Sequence, residues 1–163
     1  MNAKDPIVEL MNRSEAVLHL YVDDLTDSEF NEIAVTGMNS IAWQVGHLLS
    51  TEHLVIEAIR PGSSPPLPDG FNERHMRNSP QASSTGGWLS KDEYFKLRDA
   101  QRAVTLKVVE ELPIEELDNP AVEMLRPMFP TVGSSLLLIG SHTLLHLGQF
   151  VVVRRKNNKP IAL

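Results

Sequence analysis

The chain contains no cysteine. Disulfides, thiolate-held zinc and a cysteine nucleophile are therefore excluded. Any metal must sit on His, Asp or Glu, and any thiol chemistry needs a thiol from outside. Positive charge is scarce: 15 Lys and Arg stand against 21 Asp and Glu, for a formal net charge of −6. A nucleic-acid or anionic-membrane partner wants a basic face, so neither is expected. The one basic run, Arg154-Arg155-Lys156, closes an apolar segment, where cations complement a helix C-terminus. Residues 2–9 alternate polar and apolar side chains without a long apolar core, so no signal peptide is read and a cytoplasmic location is expected. Strand patterns are missing too. The apolar runs 136–139 and 151–153 lie inside one long proline-free segment, which reads as helix. That segment approaches membrane-spanning length, but it carries two histidines and a glutamine and has no second span to pack against, so no membrane is expected.

What is present is helical periodicity in four segments, at about residues 7–22, 40–60, 91–112 and 132–156. Asn39 is the expected N-cap of the second and Pro61-Gly62 its stop. Ser90 with Glu93 forms a capping box for the third, and Pro113 closes it. Residues 62–87 are rich in Pro, Ser and Gly, and residues 120–130 form a shorter irregular stretch. A connection as long as 62–87 suits a crossover along a bundle. The expected fold class is all-α: one domain over 1–163, a four-helix bundle with a long crossover loop between helices 2 and 3.

The most informative residues are His142 and His146. Four residues apart on a helix, their Cβ atoms lie about 5–6 Å from one another on one face, a separation at which two imidazoles chelate one ion. Around a helical wheel from Ser134, Gln149, His142, Ser135 and His146 fall within a stripe from about 60° to about 120°. No charged residue occurs between Thr131 and Val153, so this helix is expected to be buried nearly all round, its polar stripe facing an interior cavity and its apolar flanks suiting a subunit contact.

On the second segment, Ile41, Val45, Leu48, Leu49, Val55 and Ile56 share one arc, and Gly46, Ser50, His53 and Glu57 read as the solvent side. His47 falls beside Trp43 and Leu54 in a second, semi-apolar patch and is expected to point inward. Glu52 falls inside the apolar arc, with an arginine partner, a subunit contact or a supporting role at the site as alternatives. If the second and fourth helices face each other, His47, His142 and His146 converge. Three imidazoles with open positions are a catalytic rather than a closed structural metal arrangement. Gln149, one turn beyond His146, is placed to bind substrate or a bound water. His19, His53 and His75 read as bystanders, with His75 able to line a site mouth. Trp43 and Trp88 read as packing groups.

The segments Ile41-Ala42-Trp43-Gln44-Val45-Gly46-His47-Leu48-Leu49 and His142-Thr143-Leu144-Leu145-His146-Leu147-Gly148-Gln149 resemble the DinB-like family of damage-inducible helical proteins, which includes thiol-dependent S-transferases. The resemblance implies a four-helix bundle, often a homodimer, with one divalent metal ion, zinc or nickel, held by His47, His142 and His146. Relatives often carry a histidine where this chain has Gln44, so no role is carried over to that position. The leading expectation is a metal-dependent transferase that delivers a small-molecule thiol to an electrophile. The alternatives are a metal-dependent hydrolase, which wants a carboxylate base near the ion, and a non-catalytic helical binding or stress-response protein.

Overall fold

A computed structural model describes residues 2–76 and 88–161. Four long helices dominate: α1 (Asp5–Val22), α3 (Ile41–Ile59), α5 (Lys91–Glu111) and α6 (Val132–Lys156). Two short helices, α2 (Asp27–Phe30) and α4 (Phe71–His75), and a 3-10 turn over Ile114–Asp118 fill the connections. The architecture is an all-α four-helix bundle. The only strand-like pairing among the described residues is an isolated antiparallel bridge between Pro120 and Thr131.

The termini follow local chemistry. The side chain of Ser90 accepts from the Glu93 amide and Glu93 reaches back to the Ser90 backbone, as the sequence indicates. Thr131 and Ser134 form the same box at the start of α6, where Ser replaces the usual acid. The cap of α3 differs from expectation. Ser40, not Asn39, supplies the oxygen that accepts from the Trp43 amide at 3.2 Å.

Cross-helix contacts set the directions. Lys4 with Glu110 and Glu15 with Arg98 run α1 against α5. Leu10 with Gly140 and Tyr21 with Arg154 run α1 alongside α6. Gln44 with His146, and Val55 near Ser135, run α3 against α6. Glu52 pairs with Arg102, and Ile56 shares a cluster with Val109, so α3 and α5 are parallel. Parallel neighbours need a connection that returns the length of a helix, which is why the stretch after α3 is long; residues 77–87 of it lie outside the described residues.

Two apolar clusters form the core. One gathers Leu18, Phe30, Val45, Leu49, Phe71, Tyr94 and Phe150 at one end. The other gathers Met11, Val55, Ile56, Val109, Leu112 and Leu136 at the opposite end. Between them runs a buried polar layer. Arg98 grips Glu15 with two bonds, of 2.8 and 2.7 Å, and reaches Thr143 at 3.3 Å. Arg102 bonds Glu52 at 2.9 Å and approaches Glu15 at 3.3 Å. Of the alternatives for Glu52, the arginine partner is the one observed. Arg98, Glu52 and Arg102 are 0%, 1% and 6% exposed, and a charge so deep is tolerable only when paired.

The apolar arc expected on α3 is buried, from Ile41 to Ile56, but burial differs from the sequence reading elsewhere on α3 and on one side of α6. Gly46 and Ser50, assigned to a wet face, are buried, because α4, α5 and α6 all pack on α3. His53 is half-buried rather than exposed. By contrast α6, expected to be enclosed, exposes Leu137 (41%), Leu144 (41%), Leu145 (67%) and Val152 (37%). It packs mainly on α1 and α3, which leaves its remaining side uncovered by the described residues. Helix α6 is long and apolar enough to cross a membrane, yet it takes its place here as one helix of the bundle.

Candidate metal centre

The rings of His47, His142 and His146 converge across the α3–α6 contact. Their centroids are 5.1 Å apart for His47 and His142, 5.5 Å for His47 and His146, and 4.7 Å for His142 and His146. One ring nitrogen from each lies within 4.8 Å of the others. The expectation that His47 points inward rests on its patch with Trp43 and Leu54. In the structure Trp43 stacks on its ring, centroids 5.0 Å apart and planes 8° from parallel.

Two of the three histidines are each held through Nδ1. His146 Nδ1 lies 2.7 Å from Gln44 Oε1. The orientation of that amide is set at its other end, where Gln44 Nε2 donates to the Asn39 carbonyl at 2.9 Å. Gln44 therefore presents an oxygen, and His146 Nδ1 must carry the hydrogen. His47 Nδ1 lies 2.7 Å from the carbonyl oxygen of His75. A carbonyl can only accept, so His47 Nδ1 also carries a hydrogen. In the neutral imidazoles the lone pair then resides on Nε2 in both rings. This is the usual device by which a neighbouring acceptor fixes the tautomer of a metal-ligating histidine.

The third ring is different. His142 Nε2 lies 3.1 Å from His146 Nε2. Two lone pairs at that distance repel, so without an ion one Nε2 must donate to the other; given the Gln44 bond, the donor is His142. Its Nδ1 is then a bare acceptor, and that atom is indeed buried with no hydrogen-bond partner among the described residues. A cation between the Nε2 atoms removes the conflict. The donor set therefore fits a divalent ion of the kind imidazoles prefer, zinc or nickel among them.

Burial also keeps the His142 and His146 rings neutral. It holds the His142 pKa down to about 4 and the His146 pKa down to about 3, helped by the mutual proximity of the rings. A neutral imidazole is the metal-binding form.

The support around His47 was not legible in the sequence. Helix α4 lies across α3, and its last two carbonyls take hydrogen bonds from α3: Trp43 Nε1 donates to Arg74 O at 3.0 Å and His47 to His75 O. The His75 ring is buried, donates from Nδ1 to the Phe71 carbonyl at 2.8 Å and meets the Tyr94 hydroxyl at 2.9 Å. It occupies the space where a Cβ on residue 46 would stand, so only glycine fits there. His75, read as a bystander, thus positions a candidate ligand through its backbone. Burial keeps its own pKa near 4 and raises that of Tyr94 to about 12. The remaining residues stand apart. His19 pairs with Asp23 on the surface, and Gln149 is exposed on α6.

A cleft of about 310 Å³ opens beside His47, lined further by Thr51, Leu54 and Val55 of α3, Met76 just past α4, and Val122, Met124 and Leu125 of the α5–α6 connection.

A model described as the DinB superfamily matches residues 10–150. The chain belongs to the DinB superfamily. This membership accords with the helical bundle and with the possible three-histidine cluster, and such proteins typically bind a metal. A solved structure described as the conserved protein of locus from Enterococcus faecalis is similar over 96% of this chain and 97% of that one, with a TM-score of 0.75 and 19% identity. At that identity the likeness concerns the fold alone. No curated protein matches the chain.

Proposed function

We propose that this DinB-superfamily protein is a divalent-metal-dependent transferase that delivers a low-molecular-weight thiol to a small electrophile. The observation that carries the reading is the cluster itself: three converging imidazoles, two of them fixed through Nδ1 by Gln44 Oε1 and His75 O. His47, His142 and His146 would hold the ion. When bound, a zinc or nickel ion supplies Lewis acidity, which brings the pKa of a coordinated thiol or water toward neutrality. The chain's contribution is to bring three imidazole donors together next to an apolar cleft, two of them fixed through Nδ1. A chain without cysteine offers no internal thiol to compete. No Asp or Glu is among the described residues lining the cleft, so the base that a hydrolase wants is not supplied there. Gln149, exposed one turn beyond His146, is assigned to the outer part of a bound substrate.

Two further assignments accompany this reading. The exposed stripe of Leu137, Ser141, Leu144, Leu145, Gly148 and Val152 on α6 suits a second copy of the chain. It carries no charge, so two acidic chains meet there without like-charge contact, and its small residues permit close approach. A cytoplasmic setting suits the chemistry, since thiols are kept reduced there.

The test is elemental analysis of untagged protein, together with conjugation of cellular thiols to an electrophilic dye. One zinc or nickel per chain, lost in His142→Ala, and conjugation abolished by chelator are the expected results. Metal-loaded protein that conjugates no thiol would overturn the transferase reading; protein that takes up no ion would overturn the metal centre.

A further inference from the structure

We propose that the cleft beside His47 is the seat of the substrate's uncharged apolar portion, a group the size of a single substituted aromatic ring. The proposal rests on the metal-centre reading for what is done to the bound molecule, but not for the binding itself. Four observations carry it. The cleft is contiguous with the cluster, because His47 is part of its wall. Its volume of about 310 Å³ corresponds to roughly ten non-hydrogen atoms at about 30 Å³ each, the share of a water molecule in the liquid. The described wall is otherwise aliphatic or thioether, from Leu54, Val55, Met76, Val122, Met124 and Leu125, and includes no Lys, Arg, Asp or Glu. Its one hydroxyl, on Thr51, already donates to the His47 carbonyl at 2.9 Å.

The selectivity follows from solvation. An apolar wall gains by covering apolar surface, whereas a carboxylate or ammonium group entering it would lose hydration with no partner in return. A thioether wall adds adaptability, since methionine side chains reshape easily around ring edges. The occupant is therefore a neutral, compact molecule whose ring lies against α3 and the α5–α6 connection, with its reactive end directed at the histidines.

The experiment compares 4-nitrobenzyl alcohol with 4-nitrobenzoate, probes of nearly equal size that differ in charge. Binding is read by equilibrium dialysis, with saturable quenching of tryptophan emission in the parent protein as a second readout, since Trp43 stacks on His47. Titrations use metal-free and zinc-loaded protein, and zinc affinity is measured separately on the same samples. On metal-free protein the alcohol is expected to bind at least tenfold tighter than the carboxylate. Leu54→Trp, which fills the cleft, is expected to weaken the alcohol at least tenfold with zinc affinity unchanged. Met124→Arg changes an exposed wall residue and tests the same point without disturbing the core; it is expected to narrow the preference by raising carboxylate binding. Equal binding of the two probes, no saturable binding of the alcohol, or full binding by folded Leu54→Trp would overturn the proposal. Zinc uptake without alcohol binding would sink the cleft assignment alone. Alcohol binding without zinc uptake would sink the metal centre and leave the cleft standing.

Discussion

Gln44 Oε1 and His146 Nδ1 are 2.7 Å apart, and this bond decides which nitrogen of His146 is left to face the cluster. Gln44→Leu removes the acceptor while keeping a side chain of similar bulk. Loss of such a supporting partner lowers metal affinity by about 10–100-fold. Gln44→Glu retains an acceptor and is expected to bind zinc within a few-fold of the parent. Competition with a chromophoric chelator measures both, and equal affinity for the leucine variant and the parent would show that the bond has no orienting role.

Gly46→Ala tests the strap formed by α4. The new methyl would stand inside the space of the His75 ring, so His75 must move, and with it the carbonyl that holds His47. Overpacking of this kind costs about 1–3 kcal/mol, and a parallel fall in zinc affinity is expected. Thermal melts and zinc titrations of G46A should both show a loss; unchanged zinc affinity in a folded G46A would count against the strap.

The buried histidines predict an acid-sensitive fold. His75 and His142 have pKa values near 4, and His146 near 3, against an ordinary 6.5. As pH falls below 6.5 the unfolded chain takes up protons at these positions and the folded chain does not. Stability is therefore fully present above about pH 6.5 and is lost progressively down to the folded values. Glu15, whose carboxylate is held below its usual range by Arg98 and Arg102 against the opposing effect of burial, adds to the loss only below its ordinary pKa of 4.5. The window between pH 6.5 and 4.5 is thus the histidines' own. Metal-free protein should melt at lower temperature through that window, and His142→Asn should flatten the slope. A melting temperature independent of pH between 6.5 and 4.5 would contradict the assignment.

The polar layer between the two apolar clusters predicts a strong asymmetry between single and double substitutions. Arg98→Met leaves Glu15 without its two-bonded partner, and breaking a buried pair in this way costs about 3–5 kcal/mol. For a chain of this size that is a drop of roughly 2–4 °C per kcal/mol. Adding Glu15→Leu removes a carboxylate left with only the 3.3 Å approach of Arg102 and is expected to recover much of the loss. Melting of the single and double variants checks this; a double variant no more stable than Arg98→Met would mean the pair contributes through packing rather than charge.

The sequence by itself determined the four long helices almost to the residue, because helical spacing of apolar side chains, capping boxes and Pro-Gly stops are local properties: the last segment, 132–156, coincides with α6. It also indicated His47, His142 and His146 as one group, since the separation of two of them is set by helical pitch and the third by its place beside Trp43. Burial was misjudged where it depended on neighbours. Ser50 and Gly46 are covered because α4 and α5 pack on α3, and Leu145 is exposed because the described residues leave that side of α6 uncovered; neither fact is encoded in a helical wheel. Tertiary structure alone decided the partners of the site. Gln44 meets His146 across 102 positions of chain and the His75 carbonyl meets His47 across 28. Backbone carbonyls have no residue identity for a sequence to display, and pairing over such separations exists only once the bundle has brought the helices together.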